Sequence, residues 1–121
     1  MRFWERPKKE MVVDIENDEA GEPFIRMRTR LFIHKGKITN YVVQLEHLVG
    51  EDWKQVIRFN CYHGIVHKDI YNMDGRQVRK VDMGSFSDLK DAVDFATNDI
   101  RGRYKEYIRR FYKEIQGRRL T

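Results

Sequence analysis

Three features of the sequence predict an α+β fold in which an antiparallel meander sheet of about five strands packs against one long, basic C-terminal helix. Apolar and polar residues alternate with period two through most of residues 24–82. The breaks between the alternating runs are short, whereas parallel strands would need crossovers of a dozen residues or more. Beyond Gly84 the apolar period becomes three to four, which marks one face of a helix. A chain of 121 residues has the size of one domain with one core. The predicted layout is a single domain with an N-terminal short strand and acidic loop (1–23), a sheet (24–82) and a helix (87–116).

Residues 11–15 read as a short strand. Five acids and no base then stand between Asp14 and Glu22, and Gly21 and Pro23 mark residues 16–23 as a loop whose charge suits it to fold back onto the basic helix. From Phe24 onward, Ile25, Met27, Thr29, Leu31 and Ile33 fall on one face of a strand and Arg26, Arg28 and Arg30 on the other. A hairpin turn is expected at His34-Lys35-Gly36-Lys37, since Gly36 accepts positive φ. Tyr41, Val43, Leu45 and His47 alternate with Val42, Gln44 and Glu46 in the next strand. Gly50-Glu51-Asp52 breaks it, and Trp53, Gln55, Ile57, Phe59 and Cys61 carry the following one. His63-Gly64 interrupts that run, residues 65–72 form another strand, and Asp74-Gly75 signals a hairpin into a short charged edge strand at 77–82.

In the helix, Leu89, Val93, Ala96, Ile100, Tyr104, Ile108, Phe111 and Ile115 recur at helical spacing, with Ser85 or Ser87 as N-cap and Gly117 as stop. At 1.5 Å per residue such a helix is about 43 Å long, against about 20 Å for a typical strand. It is therefore expected to overhang the sheet or to bend near Gly102.

Charge is the second informative property. The chain has net charge +5 and a pI near 9.4, but eight bases stand between Arg101 and Arg119 against Glu106 and Glu114 alone. No run approaches the 18 or so apolar residues of a membrane helix, and the first ten residues lack the apolar stretch of a signal peptide, so no membrane association and a cytoplasmic location are expected. Cys61 is the single cysteine, which excludes an intrachain disulfide and a thiolate cluster for structural zinc. Its place in a strand favours a buried reduced thiol over a nucleophile. Glycine-rich nucleotide motifs, a Ser/His/Asp signature and a His-Glu-x-x-His pattern are all missing, so neither cofactor nor metal is predicted.

Two constellations could carry chemistry. Residues 60–71 concentrate two of the four histidines, the cysteine, an aspartate and two tyrosines around a strand junction. On a strand His67 and Asp69 point the same way and His63 could join them across the turn, which is an arrangement for general acid/base work on a phosphodiester. The competing reading is that His63-Gly64 makes the turn and His67 packs as an ordinary strand residue bonded to Asp69 or to backbone. The other constellation is the helix, where Arg101, Arg103, Lys105, Arg109, Arg110, Lys113, Arg118 and Arg119 interleave with Tyr104, Tyr107, Phe111 and Tyr112. Cations and aromatics together suit phosphate contact and base stacking. A solvated basic face explains Tyr104 and Phe111 equally well, and explains Tyr107 and Tyr112 less easily.

The residues Tyr41-Val42-Val43-Gln44-Leu45-Glu46, Trp53, Val56, Arg58-Phe59-Asn60, His63-Gly64-Ile65-Val66-His67-Lys68-Asp69 and the helix over 92–112 resemble an uncharacterised prokaryotic domain family of unknown function, with coverage of residues 24–112. The resemblance implies the fold and the prominence of His63, Gly64, His67 and Asp69. In general layout the chain also resembles the TumE-type toxins of toxin–antitoxin modules, which run strands, a histidine-containing segment and a terminal helix.

The resulting expectation is a small RNA-interacting, toxin-like protein. The basic helix (Arg101, Arg103, Arg109, Arg110, Lys113) and the stripe Arg26, Arg28, Arg30 hold the phosphate backbone, and His63, His67 and Asp69 supply any catalysis. The alternative is a non-enzymatic interaction module whose basic helix binds an acidic protein partner, an antitoxin among them, or the helix of a homodimer mate.

Overall fold

In the computed structural model, residues 7–115 and 118–119 are described. Six strands, β1 (Lys9–Asn17), β2 (Pro23–His34), β3 (Lys37–Val49), β4 (Asp52–Tyr62), β5 (Ile65–Tyr71) and β6 (Gln77–Gly84), form one sheet in chain order. Every neighbouring pair is antiparallel. The helix α1 (Leu89–Lys113) follows, and Glu114–Ile115 (β7) pairs with Arg118–Arg119 (β8) in a two-residue ladder. The predicted α+β meander is therefore the architecture, with one strand more than the expected five. The sixth strand is β1: the short strand expected at residues 11–15, apart from the sheet of 24–82, is nine residues long, largely exposed, and joins that sheet beside β2. With so little of it buried, its side chains mark neither its full length nor its place in the sheet.

The hairpins follow from local stereochemistry. At Lys35-Gly36 and again at His63-Gly64, both central residues have positive φ (50° and 78°, 51° and 77°). Such two-residue turns match the right-handed twist of the strands they join, and glycine at the second position meets the φ requirement without a Cβ clash. The Asp74-Gly75 connection is organised by Asn72, whose side-chain oxygen accepts from the backbone N–H of Asp74 at 3.0 Å and of Arg76 at 3.1 Å.

The alternation of β2 sorts the sheet into two faces. Ile25, Met27 and Thr29 are buried beside Tyr41, Val43 and Leu45 of β3 and Ile57 and Phe59 of β4. Against this face α1 lays Ala92, Ala96, Ile100, Tyr107 and Phe111. The opposite face, which carries the arginine stripe, is covered by no helix or strand among the described residues.

Three expectations about the helix are corrected. Its N-cap is Asp88, not Ser85 or Ser87; the backbone there is extended, and the carboxylate accepts from the N–H of Lys90 at 3.0 Å. Aspartate caps as well as serine does. The helix ends at Lys113 rather than at 116, and the expected stop at Gly117 lies outside the described residues. The overhang disappears because β2, β3 and β4 are 12, 13 and 11 residues long. At about 3.3 Å per residue these strands reach roughly 36–43 Å, while 25 helical residues reach about 37 Å. Sheet and helix are matched in length, and the helix runs through Gly102 without interruption.

Candidate functional site

The antiparallel register places side chains of successive strands in rows across the uncovered face. One row runs Arg28, Gln44, Arg58, Asp69, Lys80 from β2 to β6, and the next runs Glu10, Arg30, Val42, Asn60, His67, Asp82 from β1 to β6. Neighbours within a row are about 5 Å apart at the backbone. The rows line a groove of about 800 Å³ whose wall and floor include Arg30, Arg58, Asn60, Asp69, Tyr71 and Lys80.

The stripe Arg26, Arg28, Arg30 is present on this face, but its charge is committed. Glu46, nearly fully buried, accepts from Arg26 Nε at 2.6 Å through one oxygen and from Arg28 Nε at 3.0 Å and Gln44 Nε2 at 2.6 Å through the other. Burial pushes this carboxyl up, yet the bonds from Arg26, Arg28 and Gln44 together outweigh it and hold the group below the ordinary carboxylate value. Arg28 also bonds Glu10, and Arg30 reaches the same oxygen of Glu10 at 3.4 Å. The Arg26 guanidinium lies 3.8 Å over the centre of the Trp53 ring, a stacked cation–π contact. These arginines brace β1, β2 and β3 to one another.

His67 and Asp69 share the uncovered face of β5, as their spacing predicts, but they have separate partners. Nδ1 of His67 lies 2.8 Å from Oδ1 of Asp82 across the β5–β6 ladder. Asp69 accepts from Asn60 Nδ2 at 3.0 Å through Oδ2. His63 occupies the β4–β5 turn, exposed, with its ring against that of Tyr62 at 4.1 Å between centroids. It has the left-handed backbone the turn demands. Cys61 is half-buried beside Val66 in the ladder. Among the described residues no three His, Cys, Asp or Glu side chains converge as metal ligands.

The helix divides its cations between two roles. Arg103 bonds Glu106 at 3.0 Å and Asp99 at 3.4 Å and stacks on Tyr107, and Arg110 lies 3.9 Å from Glu114. Arg101, Lys105, Arg109 and Lys113 recur every fourth residue, are all exposed, and among the described residues none lies within ion-pairing distance of a carboxylate. Successive members are about 6 Å apart along the axis. Tyr107 corrects the expectation of an exposed aromatic: it is 1% exposed, with its hydroxyl donating to Asp99. The stripe 92, 96, 100, 107, 111 is the innermost, and Tyr104 and Ile108 flank it half-buried. Tyr112 is exposed, while its hydroxyl meets His47.

Sequence reasoning passed over Glu46, Arg58, Asn60, Asp82 and Lys80 as site residues. A signal for Glu46 was available, since it is a carboxylate on the strand that must lie beside the arginine stripe. Pairing Arg58 with Asp69 required the register, which the turn at His63-Gly64 sets.

A family model described as a domain of unknown function, DUF7718, matches residues 7–117. No curated protein matches the chain, and no solved structure does. Among the described residues no helix is long and apolar enough to cross a membrane.

Proposed function

We propose that this chain, which belongs to the DUF7718 family, binds RNA through the outward face of its helix. The observation that carries the reading is the repeat of Arg101, Lys105, Arg109 and Lys113 at four-residue spacing on exposed helix surface, with no carboxylate in ion-pairing distance among the described residues. A row of cations about 6 Å apart suits a phosphate backbone, and binding to phosphates releases counterions. Arg103 and Arg110 set the charged surface behind the row, and Arg26, Arg28 and Arg30 act as braces rather than as contacts.

Fluorescence anisotropy of a short single-stranded RNA over a salt series tests this. Four phosphate contacts give a slope of log affinity on log salt of about −2.8. Arg101→Glu with Arg109→Glu is expected to abolish binding. A flat salt dependence, or an unchanged affinity in that variant, would overturn the proposal. The toxin-like form of the reading, in which His63, His67 and Asp69 cleave the bound strand, is tested by following RNA integrity with and without His67→Ala.

A second reading, self-association, is favoured by β1. It pairs with β2 on one side and with no strand on the other among the described residues, and Met11, Val12 and Val13 are exposed along it. An unprotected apolar edge strand is a template for pairing with a second copy. Sedimentation of the wild type and of Val12→Lys distinguishes a dimer through this edge from a monomer.

A further inference from the structure

We infer that the groove on the uncovered sheet face, on the side of the sheet away from the helix, is a binding site for a guanine nucleotide. Two groups in it carry the inference. Asp69 is 8% exposed, and its Oδ1 is buried with no hydrogen-bond partner among the described residues; the same is true of Nε of Arg58, its neighbour across the β4–β5 ladder. Both residues line the groove. Buried polar atoms in folded proteins are nearly always bonded, and exceptions of this kind mark places where something else completes the bonds.

The chemistry of the two groups defines what completes them. The Arg58 guanidinium already meets the Tyr71 hydroxyl in the groove, but its Nε is a donor left over and requires a further acceptor, best an anion. Lys80, on the other side of Asp69 in the same row, is exposed at the rim and adds a second positive charge. Asp69 Oδ1 requires an N–H or O–H. Because Asn60 spends an amide hydrogen on Asp69 Oδ2, its carbonyl oxygen is the acceptor that remains beside the carboxylate. Two adjacent acceptors call for two adjacent donors. Guanine presents these on its N1–H and N2 amino edge, whereas adenine offers an amino group next to an acceptor nitrogen, which would face the carboxylate. A volume of about 800 Å³ admits a nucleotide and is larger than an amino acid or a bare anion needs. Tyr62, exposed at the groove, supplies a ring on which a base can stack.

The helix and the groove lie on opposite sides of the sheet, so this site is independent of the proposed RNA face. The test is calorimetric titration of the full chain with GMP, AMP and inorganic phosphate, each also on Asp69→Asn, Arg58→Gln and Lys80→Ala. The expected result is that GMP binds at least tenfold more tightly than AMP or phosphate. Asp69→Asn and Arg58→Gln should weaken it roughly tenfold or more, as loss of a charge-assisted bond does. Lys80→Ala, a rim change that leaves the core untouched, should weaken it severalfold even if the floor variants fold poorly. Arg101→Glu with Arg109→Glu should leave GMP binding unchanged while removing RNA binding. No heat with GMP, equal affinity for GMP, AMP and phosphate, or GMP binding that survives Lys80→Ala and is lost in the helix variant would each overturn the assignment.

Discussion

His47 and Tyr112 join β3 to the last turn of the helix across 65 residues of chain, with Nε2 of the imidazole 2.6 Å from the phenol oxygen. The other ring nitrogen, Nδ1, lies 3.1 Å from the carbonyl oxygen of Phe24. A carbonyl can only accept, so Nδ1 carries a proton, and in the neutral ring Nε2 accepts from the Tyr112 hydroxyl. Phe24 and Phe111 pack edge-on to the same ring. Tyr112→Phe keeps this packing and removes one donor from a nearly buried acceptor. It is expected to lower unfolding free energy by about 1 kcal/mol, read as a lower urea midpoint with unchanged slope.

Glu46 is the hub of the uncovered face, and its loss is expected to cost more. Glu46→Gln leaves Arg26 and Arg28 facing a neutral group and is expected to destabilise by about 2–3 kcal/mol, somewhat less than a fully buried pair because both arginines keep some solvent. The pH dependence has a definite sign. A carboxyl held below its ordinary value of 4.5 contributes stability that is fully present above that value and is lost as pH falls through the lower, folded-state value. Unfolding followed from pH 6 down to pH 3 should show the wild type losing more stability than Glu46→Gln over that interval. Parallel profiles would contradict this account.

The meander was legible from period two, clearest in β2, where buried Ile25, Met27 and Thr29 alternate with the half-buried Arg26, Arg28 and Arg30, and the helix from its period of three to four. The charged interior of the site was less legible. That Arg26, Arg28 and Arg30 share a face follows from period two, but that Glu46 and Glu10 pair with them depends on which residues stand opposite, and register is set by turns and bulges. The shift between Leu45 and Glu46 against β4 changes every later partner on that strand. On the helix, periodicity alone ranked Tyr104 and Ile108 with Ala96 and Ile100. Tyr107 is the deeper residue because a hydrogen bond to Asp99 satisfies its hydroxyl inside the structure.

Gly102 is helical and exposed, and a Cβ built there meets no atom within 4 Å. Glycine in a helix interior costs about 0.5–1 kcal/mol relative to alanine, through the extra freedom of the unfolded chain. Gly102→Ala is thus expected to stabilise by that amount and to raise the thermal midpoint by a few degrees. A fall in the midpoint would mean that the helix needs the glycine for a bend or for close approach of a partner.

Lys68 is a cation on the helix side of the sheet, and its stability effect should have the opposite sign to that of Glu46. Its Nζ donates to the Tyr107 hydroxyl at 3.4 Å and lies 5.3 Å from the centre of that ring, while the hydroxyl itself donates to Asp99. Burial pushes the Lys68 ammonium below its ordinary value; Asp99 opposes this, and Arg103 and Arg110 add to it. Between the folded-state value and 10.5, the unfolded chain binds more protons than the folded one, so this group makes stability rise with pH through that window. Below the window the whole cost of burying the charge is present. Lys68→Met keeps the stem and removes the charge, and Tyr107 retains its bond to Asp99. The variant is expected to be more stable than the wild type at pH 7, by about 1 kcal/mol on the scale of buried charges replaced by apolar groups. That gain should shrink as pH approaches 10.5. Denaturant unfolding of both proteins at pH 7 and pH 9.5 measures it; a variant less stable at pH 7 would show that the Lys68–Tyr107–Asp99 chain stabilises the fold by more than the burial of the ammonium costs.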